Sequence, residues 1–136
     1  KLLKIFAEAL KNLNLKKAMI VNSQDGLDEI SPYANTNIVE LFNGKIKETI
    51  INPNDLGIKA GKLENIIGKG PDYNSEKINE IFKGKDNDFS IAVCLNAAAG
   101  LIVADKASSF KDGYIKLRDH ILSGKVMSHM SKLQTW

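Results

Sequence analysis

The 136-residue sequence has few of the residues that cross-link small folds or bind metals in them, with one cysteine and two histidines. A single cysteine excludes an internal disulfide framework and fits a reducing compartment. Together these three residues are too few for a structural zinc site. The longest mostly apolar run, residues 91–104, is interrupted by Asn96 and is shorter than the roughly 20 residues that span a bilayer. We therefore expect a cytoplasmic protein with no membrane contact.

Arginine is also scarce, since Arg118 is the only one in the chain. The net charge is +3, and the lysines are scattered along the sequence instead of forming a cluster. Recognition of bases and phosphates favours arginine, so we predict no nucleic-acid partner and a solvated lysine surface. The composition, with 43% apolar and 26% charged residues, excludes disorder of the whole chain and suits about one globular domain.

The first half of the sequence alternates between helix and strand patterns. Apolar residues recur with helical spacing over residues 2–13, and a short apolar run follows at residues 18–21. A strand this apolar is typical of a parallel sheet that is buried on both faces. Residues 36–42 and 45–51 flank Asn43-Gly44, which is a strong signal for an antiparallel hairpin.

The second half is predicted to be helical. Residues 89–104 are apolar nearly all round and contain small residues at 97–100, so we expect a central buried helix that a neighbour approaches closely. The other predicted helices are a short one over residues 62–67, one capped by Asn74 or Ser75 that runs to Lys83, one from Phe110 to a stop at Gly124, and a last one capped by Ser123.

The predicted strands are too few to cover both edges of the first strand, which is predicted to be buried. A strand that is apolar on both faces needs neighbours on both edges, and the hairpin supplies one edge at most. We infer that the chain is part of a larger α/β domain. That domain would have a mostly parallel sheet, one antiparallel hairpin and packed helices.

A polar loop follows the first strand, at the end where open α/β sheets bind ligands. Asp28 and Glu29 are adjacent in this loop, and Asp25 is close by. Paired carboxylates suit Mg²⁺, which takes one or two of them and leaves its other positions to water and phosphate. The alternative is helix capping by Asp25 or Asp28, with Glu29 in the first turn. The pattern alone favours capping.

Other residues with reactive or polar side chains are interpreted as structural. His120 and His129 have no ligand at metal-binding spacing, and Cys94 lies in an apolar stretch without a nearby base, which predicts an inert buried thiol. Asn96 is the polar residue that interrupts the apolar run at residues 91–104, and it is expected to bond to backbone or to a neighbour.

Several segments resemble anthranilate phosphoribosyltransferases, and they occur in the same order as in that family. They are DGLDEISP at residues 25–32, TNIVEL at 36–41, NPNDLG at 52–57, LNAAA at 95–99 and SGK at 123–125. The resemblance covers nearly the whole chain but only the C-terminal part of that enzyme. It implies a fold like that of nucleoside phosphorylases and phosphoribosyltransferases. The N-terminal helical domain and the glycine-rich diphosphate loop of the family would then lie outside residues 1–136.

The resemblance also implies an activity. The family transfers ribose 5-phosphate from phosphoribosyl pyrophosphate to anthranilate, giving N-phosphoribosyl anthranilate and diphosphate in tryptophan biosynthesis. Asp28 and Glu29 match the acidic pair that holds Mg²⁺ on the diphosphate. No catalytic or anthranilate-contacting residue carries over, because the motifs that contain them are absent from this sequence.

The partners implied are the N-terminal remainder of the same enzyme and a second copy in a homodimer. We expect residues 1–136 alone to be inactive. Three alternatives stay open: an enzyme like pyrimidine nucleoside phosphorylase, a non-catalytic binding remnant, and a fragment with no function of its own.

Overall fold

The computed structural model describes residues 1–59 and 61–133. They form one small sheet and a group of helices. Two short 3₁₀ turns, Pro53–Leu56 and Leu63–Ile66, lie between the sheet and the helices that follow it. In chain order the elements are α1 (Leu2–Asn12), β1 (Lys17–Ser23), β2 (Thr36–Phe42), β3 (Lys45–Ile51), α2 (Pro71–Phe82), α3 (Asp88–Val103), α4 (Phe110–Leu122) and α5 (Lys125–Leu133). An α/β chain was predicted, and the structure confirms it.

The sheet has the strand order β1-β2-β3, and both neighbouring pairs are antiparallel. Asn43 (φ 47°) and Gly44 (φ 78°) adopt the left-handed conformation between β2 and β3. Two consecutive left-handed residues make the two-residue turn that matches the natural twist of a hairpin. The predicted hairpin is therefore confirmed, with the bounds that the sequence indicated.

The pairing of β1 differs from the expected parallel arrangement. Its neighbour β2 runs antiparallel to it, with Ser23 opposite Thr36. The reason is that residues 24–35 fold as turns and bends and start β2 beside the end of β1, whereas a parallel neighbour needs a crossover that carries the chain back to the beginning of β1. The other edge of β1 has no partner strand among the described residues. Within this part of the chain the sheet is thus antiparallel, with β1 at its edge.

Helix α3 occupies nearly the predicted range and begins at a capping box. The Asn87 side chain accepts a hydrogen bond from the Ser90 amide at 3.0 Å, and the Ser90 hydroxyl accepts one from the Asn87 amide at 2.9 Å. The helix is not buried all round, because Val93 is 42% exposed. Its inner side joins residues of the other helices and of the loops in the core, which consists of Ile30, Ile58, Ile81, Cys94, Leu95, Tyr114 and Ile121.

Two predicted helix caps are wrong. Helix α2 begins at Pro71, with Gly70 as its N-cap, because proline is well suited to the first helical position, where its missing N–H costs no hydrogen bond. Asn74 therefore lies inside α2, where its side chain accepts a hydrogen bond from the Lys69 amide at 3.2 Å. Ser123 ends α4 instead of starting α5. Each helix within residues 1–59 and 61–133 is too short or too polar to span a bilayer.

Candidate functional site

The loop between β1 and β2 consists of turns and bends and contains no helix. The capping interpretation of its acidic residues is therefore wrong. Both ends of the loop are tied to backbone groups. The Ser23 amide donates to the Leu27 carbonyl at 2.9 Å, and the Gln24 amide donates to the Asn35 carbonyl at 2.8 Å. The loop thus has fixed ends on the sheet.

Asp25 stabilises the inside of this loop. Its Oδ2 accepts a hydrogen bond from the Ser31 hydroxyl at 2.5 Å, and its Oδ1 accepts one from the Leu27 amide at 3.4 Å. Burial by itself raises the pKa of Asp25, but hydrogen bonds from Ser23, Ser31 and the Leu27 amide outweigh it and hold the pKa below its usual value. The ionised carboxylate therefore stabilises the loop through hydrogen bonds from residues of the same loop.

Ser31 connects this carboxylate to the second strand. Its amide donates to the Thr36 hydroxyl at 3.2 Å, and its own hydroxyl accepts from the amides of Tyr33 (3.0 Å) and Ala34 (3.3 Å). Ser31 and Thr36 are buried, with 1% and 0% exposure. Because buried polar groups are costly unless they are paired, this network favours one conformation of the loop.

Asp28 and Glu29 have the opposite surroundings. Both are exposed, and neither side chain makes a hydrogen bond or an ion pair within the described ranges, although their neighbours Leu27 and Ile30 are held by hydrogen bonds. Asp28 borders an open groove that is also lined by residues of α1 and of the sheet. The predicted acidic pair is therefore free to bind a cation, in contrast to Asp25.

The donor set fits Mg²⁺ only in combination with a ligand. Within the part of the chain that is described, no group of three His, Cys, Asp or Glu residues could hold a metal ion. Two carboxylates are nevertheless enough for Mg²⁺ when water and phosphate oxygens fill the remaining positions. The arrangement suits an ion that arrives with a phosphorylated substrate, and it does not suit a self-contained metal centre.

Asn96 completes the site, and sequence reasoning did not find its partner. Its Oδ1 accepts from the Ile30 amide at 2.8 Å, and its Nδ2 donates to the carbonyls of Ile30 and Ala92, each at 3.0 Å. The expectation that this amide bonds to backbone is confirmed. What the sequence did not show is that the bonded backbone follows Glu29 directly.

The other residues that the sequence analysis considered lie outside this loop. Cys94 is 2% exposed, and burial raises the pKa of its thiol to about 11, which excludes an activated nucleophile. His120 and His129 are exposed and belong to no metal-binding group within the described ranges. Arg118 forms an ion pair with Asp86.

Comparison with known proteins defines the class to which this fold and site belong. Residues 1–127 match the family described as "Glycosyl transferase family, a/b domain". Because the match covers most of the sequence, the chain belongs to this family.

The relatives are more specific. An anthranilate phosphoribosyltransferase of Pelagibacter ubique (strain HTCC1062) is 58% identical over 98% of this chain, which spans 41% of that protein. The crystal structure of anthranilate phosphoribosyltransferase from Thermus thermophilus superposes with a TM-score of 0.84 at 29% identity, over 96% of this chain and 38% of that one. A variant of the Saccharomyces cerevisiae enzyme with Mg bound gives a TM-score of 0.74 at 25% identity, over 82% and 33%. The chain therefore spans about two fifths of the length of the curated relative it matches.

Proposed function

We propose that the protein containing residues 1–136 is an anthranilate phosphoribosyltransferase of tryptophan biosynthesis. It would transfer ribose 5-phosphate from phosphoribosyl pyrophosphate to anthranilate, with Mg²⁺ held on the diphosphate by Asp28 and Glu29. The observation that carries the proposal is the exposed, unpaired acidic pair on a rigid loop after β1. The similar proteins from Pelagibacter and Thermus, both named as this enzyme, support it. So does the Mg bound to the yeast variant.

The chemistry gives the acidic pair a clear task. The C1 carbon of the ribose gains positive character as diphosphate departs, and the leaving group takes several negative charges with it. A Mg²⁺ ion held by Asp28 and Glu29 would supply the positive charge that neutralises it. Asp28 and Glu29 supply two anionic oxygens at the end of β1, and the hydrogen bonds of Asp25 and Ser31 keep the loop that carries them in place. Positioning of this kind lowers the barrier because it converts an encounter into an organised complex.

We also propose that residues 1–136 form the C-terminal part of the α/β domain and that a further strand of the same protein pairs with β1. The residues of β1 from Lys17 to Val21 are half-buried, although this edge of the sheet has no partner in the described ranges. Beside β1, α1 exposes Leu2 (69%), Ile5 (56%) and Phe6 (58%), which line the same groove. Exposed apolar surface of this kind marks an interaction site. The complete protein would form a homodimer and would be located in the cytoplasm.

The test uses the complete gene product. The double variant Asp28→Asn/Glu29→Gln removes both charges at nearly constant shape. We expect at least a roughly tenfold rise in the Mg²⁺ concentration for half-maximal rate, because even indirect partners of metal ligands contribute that much to affinity. The rate is followed by the loss of anthranilate fluorescence on adding phosphoribosyl pyrophosphate.

The matched control is Asp72→Asn/Asp119→Asn, which removes two exposed carboxylates from α2 and α4 and is expected to leave the Mg²⁺ dependence unchanged. Product formation from a pyrimidine nucleoside and phosphate, but not from anthranilate, would replace this proposal with a phosphorylase. Ribosyl transfer by residues 1–136 alone would show that the chain is self-sufficient, contrary to our proposal.

A further inference from the structure

We infer that Asn96 is a positioning residue for the metal-binding pair Asp28–Glu29, an inference that rests on the proposed function. Asn96 lies on α3, 66 residues from the loop that it contacts. The hydrogen bonds of its side chain are made to backbone groups of Ile30 and Ala92. It acts by fixing the backbone from which the carboxylates project.

The bond geometry explains this effect. Asn96 bonds to both backbone groups of Ile30, accepting from its amide at 2.8 Å and donating to its carbonyl at 3.0 Å. The amide of Ile30 belongs to the peptide plane that it shares with Glu29, and its carbonyl belongs to the next plane. Because peptide planes are rigid, two bonds fix the orientation of two consecutive planes. A single bond would leave the chain free to rotate about it.

The third hydrogen bond of Asn96 fixes the side chain itself. Its Nδ2 also donates to the Ala92 carbonyl at 3.0 Å, one helical turn earlier. This bond keeps Nδ2 directed toward the Ala92 carbonyl. The side-chain amide therefore cannot flip, and Oδ1 stays in place to accept from the Ile30 amide. Ile30 is 1% exposed and belongs to the core, so the residue to which Asn96 bonds is immobilised by packing.

The acidic pair thus lies between two anchors. On one side, Leu27 accepts a hydrogen bond from the Ser23 amide of β1 at 2.9 Å. On the other side, Ile30 is held by α3 through Asn96. Only Asp28 and Glu29 lie between these anchors, and both are exposed. The arrangement confines two carboxylates that the protein leaves otherwise unpaired.

The experiment measures metal binding directly in the complete gene product. In Asn96→Ala we expect Mn²⁺, added with phosphoribosyl pyrophosphate and detected by electron paramagnetic resonance, to bind about tenfold more weakly, as found for partners that orient metal ligands. Hydrogen exchange of the Ile30 amide should become faster, since the side-chain oxygen that accepts its hydrogen bond is removed. The KM for phosphoribosyl pyrophosphate should rise more than kcat falls.

The control is Ser90→Ala, which breaks the capping box at the start of the same helix without touching the loop. It lowers stability through α3 but should leave Mn²⁺ affinity unchanged. If Asn96→Ala fails to fold, Asn96→Ser serves instead, because a serine hydroxyl can bond to the Ala92 carbonyl within the helix but is too short to reach Ile30. We expect the same loss of Mn²⁺ affinity from it.

The outcomes separate the two proposals. Mn²⁺ affinity of Asn96→Ala within twofold of wild type, with a clear loss in Asp28→Asn/Glu29→Gln, overturns the positioning role and leaves the proposed function standing. Unchanged affinity in both variants overturns the metal-binding role that the proposed function gives to Asp28 and Glu29. Equal losses in Asn96→Ala and Ser90→Ala assign the effect to general destabilisation and contradict our inference.

Discussion

Replacing Gly113 with alanine tests the contact between α3, which carries Asn96, and α4. A Cβ at position 113 would lie 2.9 Å from the Ala98 Cβ, 3.2 Å from the Ala98 Cα and 3.3 Å from the Ala107 Cβ. These neighbours are backbone or backbone-proximal atoms with no free rotation, so the helices have to move apart. At a helix position with free space around the Cβ, replacing glycine with alanine stabilises the helix by about 0.8–1.0 kcal/mol.

Overpacking of a core typically costs about 1–3 kcal/mol, which equals or exceeds the gain in helix propensity. We therefore expect Gly113→Ala to destabilise the protein by up to about 2 kcal/mol. Urea unfolding of the complete gene product, followed by circular dichroism, measures the change in midpoint. Gly100→Ala is the matched control, because a Cβ at this α3 position meets nothing within 4 Å and should raise the midpoint.

A second change isolates the contact. Ala98→Gly removes the methyl group that obstructs position 113, so the double variant Ala98→Gly/Gly113→Ala should recover part of the loss. Contacting residues usually show coupling of about 0.5–3 kcal/mol. A midpoint for Gly113→Ala as high as that of Gly100→Ala would refute the argument from close approach.

Two further predictions concern titrating groups. The pKa of Asp25 is lowered in the fold from a reference value of 3.8, so its carboxylate stabilises the loop above about pH 4 and loses this effect as the pH falls through the lowered pKa. The difference in melting temperature between wild type and Asp25→Asn should accordingly be constant at neutral pH and shrink below pH 4, and a difference that is the same at pH 3 and pH 7 would contradict the assignment. Burial raises the pKa of Cys94 to about 11, so alkylation by iodoacetamide at pH 8, measured by mass spectrometry of the Cys94 peptide, should be slow until denaturant is added. Rapid labelling of the native protein would show that the thiol is accessible.

Local signals in the sequence were sufficient for most of the secondary structure. The Asn43-Gly44 turn needs two left-handed residues, which asparagine and glycine adopt readily. The bounds of α1 and α4 follow the helical spacing of their apolar residues. The predicted start of α2 was wrong because two local signals competed. Pro71 occupies the first helical position, and the alternative of a side-chain cap at Asn74 is not used.

Long-range pairing was not available from the sequence. The apolar run of β1 predicted burial on both faces, but burial does not specify the direction of the neighbouring strand. The pairing is antiparallel because residues 24–35 start β2 beside the end of β1. The sequence motif predicted the acidic pair. It did not show that Asp25 belongs to the loop itself, because the hydrogen bonds that Asp25 accepts from the Ser31 hydroxyl and the Leu27 amide depend on the fold of the loop.

The long sequence distance between the acidic loop and Asn96 limits how this site can be transplanted. The eight residues that resemble a family motif, at positions 25–32, contain both carboxylates but not the amide that orients the peptide after Glu29. Grafting the loop alone onto another sheet would transfer the two carboxylates but not the hydrogen bonds that orient the backbone beside them. A designer who wants to keep the direction of the two carboxylates has to move the helix together with the loop, and natural recombination within this domain meets the same constraint.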